Sequence, residues 1–194
     1  MPYKAESQTP EISKSIIPRD EAIFMNINGE VVRILPSDTN TDEIISGKYK
    51  YDELDLKVLA KHTFESIDTR FYEDCKQLDN PILVAAANFG CGSSREQAPQ
   101  VLKACGISCV IAESFARIFY RNGFNIGLPL VECKDISTNI TQGERLEVHF
   151  DAGVIRSKDR NAEYLFKPTP PFMRKLLAKG GLMPYLRACG GYTD

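Results

Sequence analysis

The sequence has no apolar stretch near the roughly 20 residues that a membrane-spanning helix requires. Its first residues, MPYKAESQTPEISKSIIPRDE, lack the apolar core of a secretory signal, so a cytoplasmic location is expected. Clustered basic residues are also missing. The 24 Lys and Arg are interspersed with 26 Asp and Glu, for a formal net charge of −2, which argues against a nucleic-acid footprint or a membrane-surface role. Histidine is scarce, with only His62 and His149. The six cysteines (Cys75, Cys91, Cys105, Cys109, Cys133 and Cys189) include no CxxC pair. No zinc site or complete iron–sulfur ligand set is therefore expected within this chain, and the thiols read as reduced and mostly buried. Internal repeats and low-complexity tracts are absent.

What is present suffices for a core. The chain has 194 residues, 43% of them hydrophobic, enough to bury most of its apolar surface without disulfides or metals. Residues 1–21 read as a polar, proline-punctuated arm, extended or disordered, and residues 22–194 as a single domain. Asn28-Gly29 between two apolar stretches predicts a hairpin over Ile23–Leu35. Helical spacing of Leu54, Val58, Leu59 and His62 predicts a helix over Asp52–Phe64. Pro81–Ala87 predicts a strand, Arg95–Ala104 a helix closed by Gly106, and Cys109–Ala112 a second strand. Ser114 then caps a helix to about Asn122 that Gly123 stops, and Ile126–Val131 gives a third strand. This β-α-β-α-β series predicts an α/β fold with a mostly parallel sheet flanked by helices. A further hairpin is expected around Asp151-Ala152-Gly153, and two terminal helices at Thr169–Ala178 and Met183–Ala188.

Chemistry concentrates in Asn88–Pro99, NFGCGSSREQAP. A strand ends, two glycines let the backbone approach a ligand, and Ser93 or Ser94 opens a helix. Unpaired N–H groups at a helix start bind anions, and Arg95 adds a fork that fits a carboxylate. The same residues also suit a plain capped strand–helix turn, and the turn alone does not separate phosphate from carboxylate. A P-loop is excluded by the missing GK[ST] ending, a dinucleotide fingerprint by the missing third glycine, and a hydrolase elbow by the missing G-x-S-x-G.

Four blocks together resemble the swivelling domain of the aconitase family, and within it the stand-alone small subunits of isopropylmalate isomerases. They are DTNTDEII (Asp38–Ile45), NFGCGSSREQAP (Asn88–Pro99), VIAESFARIFYRNGFNIGLP (Val110–Pro129) and GGLMPYL (Gly180–Leu186), spanning nearly the whole domain. The resemblance implies the aconitase swivelling-domain fold, with additional β-hairpins. It also implies a hydro-lyase that moves a hydroxyl between adjacent carbons by dehydration and rehydration. In two-subunit members a [4Fe–4S] cluster on a separate large subunit polarises the substrate hydroxyl. This chain would carry no cofactor of its own. Ser93 would be the catalytic base, its alkoxide stabilised by the amides of Gly92, Ser94 and the turn. Arg95 would hold a substrate carboxylate, and Asp38, Thr41 and Asp42 would line the opposite wall, where a simple polar turn is the alternative.

Isopropylmalate is the expected substrate. Homoaconitase and a dimethylmalate-type dehydratase are alternatives, and a non-catalytic anion-binding module is a further one. The loop Gly47–Asp52, GKYKYD, departs from the family patterns that select the substrate side chain. Tyr49 and Tyr51 offer an apolar wall, and Lys50 either meets a carboxylate or reaches solvent. Cys91 flanks the site, as a redox-sensitive thiol or as a small residue filling a tight turn. Arg117 and Arg121 stand four apart on one helix, either reaching a carboxylate or forming a solvated or salt-bridged face.

Overall fold

The structure, a computed structural model, describes residues 25–49 and 55–190. The N-terminal arm and the start of the expected Asp52–Phe64 helix lie outside the described residues. The fold is a seven-stranded mixed sheet in the order β4-β3-β2-β1-β5-β6-β7. The strands are β1 (Asn26–Leu35), β2 (Pro81–Ala85), β3 (Cys109–Ala112), β4 (Leu130–Glu132), β5 (Arg145–His149), β6 (Val154–Ser157) and β7 (Ala162–Leu165). β1 to β4 are mutually parallel, whereas β1–β5, β5–β6 and β6–β7 pair antiparallel. This is the expected α/β architecture with an added antiparallel meander, whose last strand β7 carried no separate signal in the sequence.

The parallel strands read as apolar runs because both faces are covered. Along β2, Leu83 and Ala85 enter one core layer, which holds Phe64, Phe71, Phe89, Leu102 and Phe124. The alternate residues Ile82 and Val84 enter a second layer with Val131, Ile136, Phe150 and Ile155. The first layer is roofed by α2 (Leu56–Ala60), α3 (Phe71–Lys76), α4 (Gln97–Cys105) and α5 (Arg117–Asn125). The second is capped by α6 (Ile136–Asn139). Helices α7 (Pro171–Ala178) and α8 (Leu182–Ala188) pack on α5. Gly106 ends α4 at φ 100°, with its N–H bonded to Leu102 and Lys103 carbonyls, as the sequence predicts. No helix among the described residues is long and apolar enough to cross a membrane.

Five local expectations are corrected. Asn28-Gly29 is not a turn: β1 runs unbroken through it. Gly29 is required because a Cβ there would lie 2.0 Å from the Asn80 carbonyl oxygen. Among the described residues of the expected Asp52–Phe64 helix, Leu56–Ala60 are α-helical, with Asp55 as N-cap. Beyond Ala60 the bonds tighten to i→i+3, and Phe64 at φ 56° turns its fully buried ring into the core. Ser114 does not cap α5, whose N-cap is Ala116. Gly123 does not stop it either, since the helix runs to Asn125. A Cβ at Gly123 would meet Leu130 Cδ1 at 2.5 Å, so this glycine serves close helix–strand packing. The third strand is shorter than expected, starting at Leu130.

Gly29→Ala is expected to destabilise the fold by about 1–3 kcal/mol, because backbone rather than a flexible side chain must give way. A denaturant midpoint unchanged from the wild type would disprove that close approach.

Candidate active site

Ligand sites in sheets of this kind lie outside the carboxyl ends of parallel strands. Here the loops leaving β1 and β2 meet there. The loop after β1 leads into α1 (Thr41–Ile44), which Asn40 caps by accepting from the amides of Asp42 (2.9 Å) and Glu43 (3.0 Å). Glu43 closes the capping box by accepting from the Asn40 amide at 2.7 Å. The loop after β2 runs alongside, with a parallel bridge between Asn40 and Cys91.

The two loops are joined by several bonds. Thr41 donates its amide to the Cys91 carbonyl at 2.8 Å. Its hydroxyl accepts from the Ser93 amide at 3.0 Å and lies 3.3 Å from Ser93 Oγ. Asp38 (φ 61°) and Asn88 (φ 59°) both adopt left-handed backbone, and Asn88 Nδ2 donates to Asp38 Oδ1 at 2.7 Å. Ser114 Oγ, free of its expected capping duty, accepts from the Asn88 amide at 2.8 Å. Gly90 (φ 76°) lies directly under the Phe119 ring, where a Cβ would approach Phe119 Cγ to 2.3 Å. Gly92 (φ 100°) is exposed and adjoins Thr41 Oγ1.

Ser93 sits at the focus of this arrangement. Arg95 Nε donates to its hydroxyl at 2.5 Å, Arg95 Nη1 donates to the Ile45 carbonyl at 3.1 Å, and Nη2 pairs with Asp42. The Arg95 side chain is 15% exposed, so it is fixed in place, whereas Asp42 is 63% exposed. The hydrogen bond from Arg95, then its charge, together with the Gly47 amide, holds the Asp42 carboxyl below the ordinary aspartate range. Five N–H donors make up a guanidinium, and the chain engages three of them here. The amides of Gly92 and Ser94 make no hydrogen bond among the described residues. The result is an open cleft of about 620 Å³ bounded by Gly47, residues 93–97 and Gln100.

One expectation about the turn is corrected. Neither Ser93 nor Ser94 opens a helix: α4 begins at Gln97 with Glu96 at its N-cap. Ser93 cannot cap because Thr41 takes its amide and Arg95 its hydroxyl. The donors near Ser93 are therefore loop amides and Arg95, not the end of a helix dipole. Asp38, Thr41, Asp42, Gly92, Ser93, Ser94 and Arg95 come together on the two joined loops. Tyr49 stands on the adjoining Gly47–Tyr49 turn, where it stacks on His62 at 4.2 Å and donates its hydroxyl to Glu65 at 2.5 Å. Lys50 and Tyr51 lie outside the described residues. Asn40, Asn88 and Ser114 were missed in the sequence. The Asn40-x-x-Glu43 spacing was a readable capping signal, but nothing local linked Asn88 to Ser114 or Asp38.

The cysteines do not form a metal-ligand set. Among the described residues no group of three or more His, Cys, Asp or Glu could hold a metal ion. Burial pushes Cys75 up to about 12 and Cys105 and Cys133 up to about 11, disfavouring the thiolate that ligates. Cys91, nearest the site, donates to the Asp38 carbonyl at 3.3 Å, and burial followed by the Asp38 charge raises its pKa. It fills a turn rather than presenting a reactive thiolate.

Because the folded Asp42 pKa is depressed, its pairing with Arg95 adds stability that is fully present above the unfolded value. That contribution is lost as pH falls through the lower folded value. Carbon NMR of the Asp42 carboxyl should therefore give a midpoint below that of a free aspartate, rising in Arg95→Ala. An identical midpoint in both proteins would show that Arg95 does not hold Asp42.

Residues 3–135 match the family model of the Aconitase C-terminal domain. A 3-isopropylmalate dehydratase small subunit from Clostridium botulinum is 47% identical over 163 residues, covering 84% of this chain and 99% of that protein. One from Clostridioides difficile is 45% identical over 167 residues, covering 86% and 100%. The crystal structure of 3-isopropylmalate dehydratase from Methanocaldococcus jannaschii superposes with a TM-score of 0.76 at 39% identity, covering 84% of this chain and 95% of that one. Fold and sequence agree: this chain belongs to the aconitase C-terminal-domain family, alongside 3-isopropylmalate dehydratase small subunits.

Proposed function

We propose that this chain is the small subunit of a two-subunit hydro-lyase that interconverts 2-isopropylmalate and 3-isopropylmalate, a step in leucine biosynthesis, and that it turns over substrate only when docked to a large subunit. The observation that carries the reading is the Ser93 hydroxyl, held between Arg95 Nε at 2.5 Å and Thr41 Oγ1 at 3.3 Å on the wall of an open cleft. A serine hydroxyl removes a proton from carbon only if its alkoxide is stabilised. The guanidinium of Arg95 and the Thr41 hydroxyl both reach that oxygen, and the open amides of Gly92 and Ser94 lie beside it. Such preorganised donors favour charge as it develops in the transition state.

In this reading Ser93 takes the proton from the substrate carbon. The two N–H groups of Arg95 that the chain leaves unengaged meet a substrate carboxylate. Asp42 keeps the guanidinium in plane, and Asp38 and Thr41 fix the facing wall. The residues of this chain do not fit a cluster-ligand set, so the [4Fe–4S] cluster is assigned to the large subunit, where it would act on the substrate hydroxyl as a Lewis acid. All six cysteines are unpaired, which suits a reducing cytoplasm. Tyr49, Lys50 and Tyr51 are proposed to select the substrate side chain. Lys50 keeps homoaconitase and dimethylmalate-type activities as the second reading. Presence of both Ser93 and Arg95 favours an enzyme over an anion-binding module.

Reconstitution with a candidate large subunit, assayed on isopropylmalate, homocitrate-derived and dimethylmalate substrates, tests the reading. Ser93→Ala should lower kcat by about 10²–10⁴ with assembly intact, and full turnover in that variant would eliminate Ser93 as the base. Lys50→Leu should shift the ratio of kcat/KM between isopropylmalate and a substrate with an extra carboxylate. An unchanged ratio would remove the loop from substrate selection.

A further inference from the structure

A second cavity, of about 460 Å³, opens at the carboxyl ends of β3 and β4 and shares no lining residue with the Ser93 cleft. Three cations line it: Arg117 and Arg121 from α5, and Lys167 from the segment after β7. None of the three forms an ion pair or hydrogen bond among the described residues; both arginines are exposed, so the face expected for them is solvated and not salt-bridged. The only acid in the lining is Glu132, whose Oε1 accepts from the Phe115 amide at 3.4 Å. Three cations around one cavity repel one another, and an anion relieves that repulsion.

Two further features point inward. Arg117 marks the start of α5, which has no side-chain cap, so its first turn leaves amides unpaired at the cavity edge, and the start of α7 at Pro170 closes that edge. Thr169 lines the same space at 7% exposure, with a hydroxyl that makes no hydrogen bond among the described residues. The hydroxyl keeps solvent access, so it is free to donate to a ligand oxygen. The remaining wall is apolar, from Phe115, Val131 and Phe166. Cations and a free hydroxyl set against aromatic and branched side chains match a carboxylate carried on a small apolar body.

We propose that this cavity is a second ligand site, separate from the Ser93 cleft, for a small branched aliphatic carboxylate. Arg117, Arg121 and Lys167 hold the carboxylate with Thr169, and the aliphatic body rests on Phe115 and Phe166. The site is a property of this chain alone and stands whether or not the hydro-lyase reading holds.

Titration of the full chain with 3-methylbutanoate, followed by amide NMR, tests this. Saturable shifts are expected at Arg117, Tyr120 and Thr169, with weaker binding of acetate and none of 3-methylbutanamide. Arg121→Ala/Lys167→Ala alters only exposed side chains and should weaken binding at least tenfold, whereas Ser93→Ala should bind as the wild type. Absence of saturation, shifts centred on residues 93–97, or an undiminished response in the double variant would each overturn the proposal. The same carboxylate chemistry could come from an acidic side chain of a protein partner. If 3-methylbutanoate has no effect while the double variant weakens assembly with the large subunit, the cavity belongs to that interface and the small-molecule site is disproved.

Discussion

The bond between Thr41 and Ser93 holds two loops that start from different strands and lie 52 residues apart in the chain. Thr41 is 1% exposed, and its hydroxyl is both the acceptor for the Ser93 amide and a neighbour of the Ser93 oxygen. With its amide on the Cys91 carbonyl, this one residue sets the height of the turn and the direction in which Ser93 points. The geometry around it follows. Gly92 holds a φ of 100° that side-chained residues rarely adopt, and Gly90 must lack a side chain to pass Phe119. Asp38 and Asn88 occupy left-handed conformations that these short polar residues tolerate better than most.

Arg95 is the electrostatic counterpart of that tie. It is mostly buried beside a mostly exposed aspartate, so its charge is balanced while the cleft stays open. A guanidinium is suited to this because its rigid fork serves several acceptors at once. Ser93 Oγ, the Ile45 carbonyl and Asp42 belong to three different segments, and Arg95 fixes their relative positions. The Gly47–Tyr49 turn is anchored from behind by the stacking of Tyr49 on His62 and its bond to Glu65. A wall of the cleft is thus braced by a polar cluster outside it.

How much of this was legible varies with the range of the interaction. The runs ILVA and CVIA announced β2 and β3 because strands buried on both faces need only apolar residues. Asp151-Ala152-Gly153 announced the turn between β5 and β6 for equally local reasons. Glycines misled where their purpose was tertiary: Gly29 and Gly123 read as a turn and a stop, but each makes room for another segment, Asn80 or Leu130. The motif singles out Ser93 and Arg95, while the way they are held leaves no local signal. Ser114 was read as a cap because a serine before a helix usually is one. Its partner Asn88 lies 26 residues away and leaves no trace at that distance.

The shared edge between Asn40 and Cys91 has a consequence for how such a protein can be altered over time. The loops exchange backbone hydrogen bonds, from the Thr41 amide to the Cys91 carbonyl and from the Gly90 amide to the Thr39 carbonyl, so the shape of each depends on the other. Exchange of one loop between relatives carries over a surface cut to fit a missing counterpart. The unit of variation at this end of the sheet is the pair, and diversification is free to proceed only in the segment that begins at Gly47, outside the bridge.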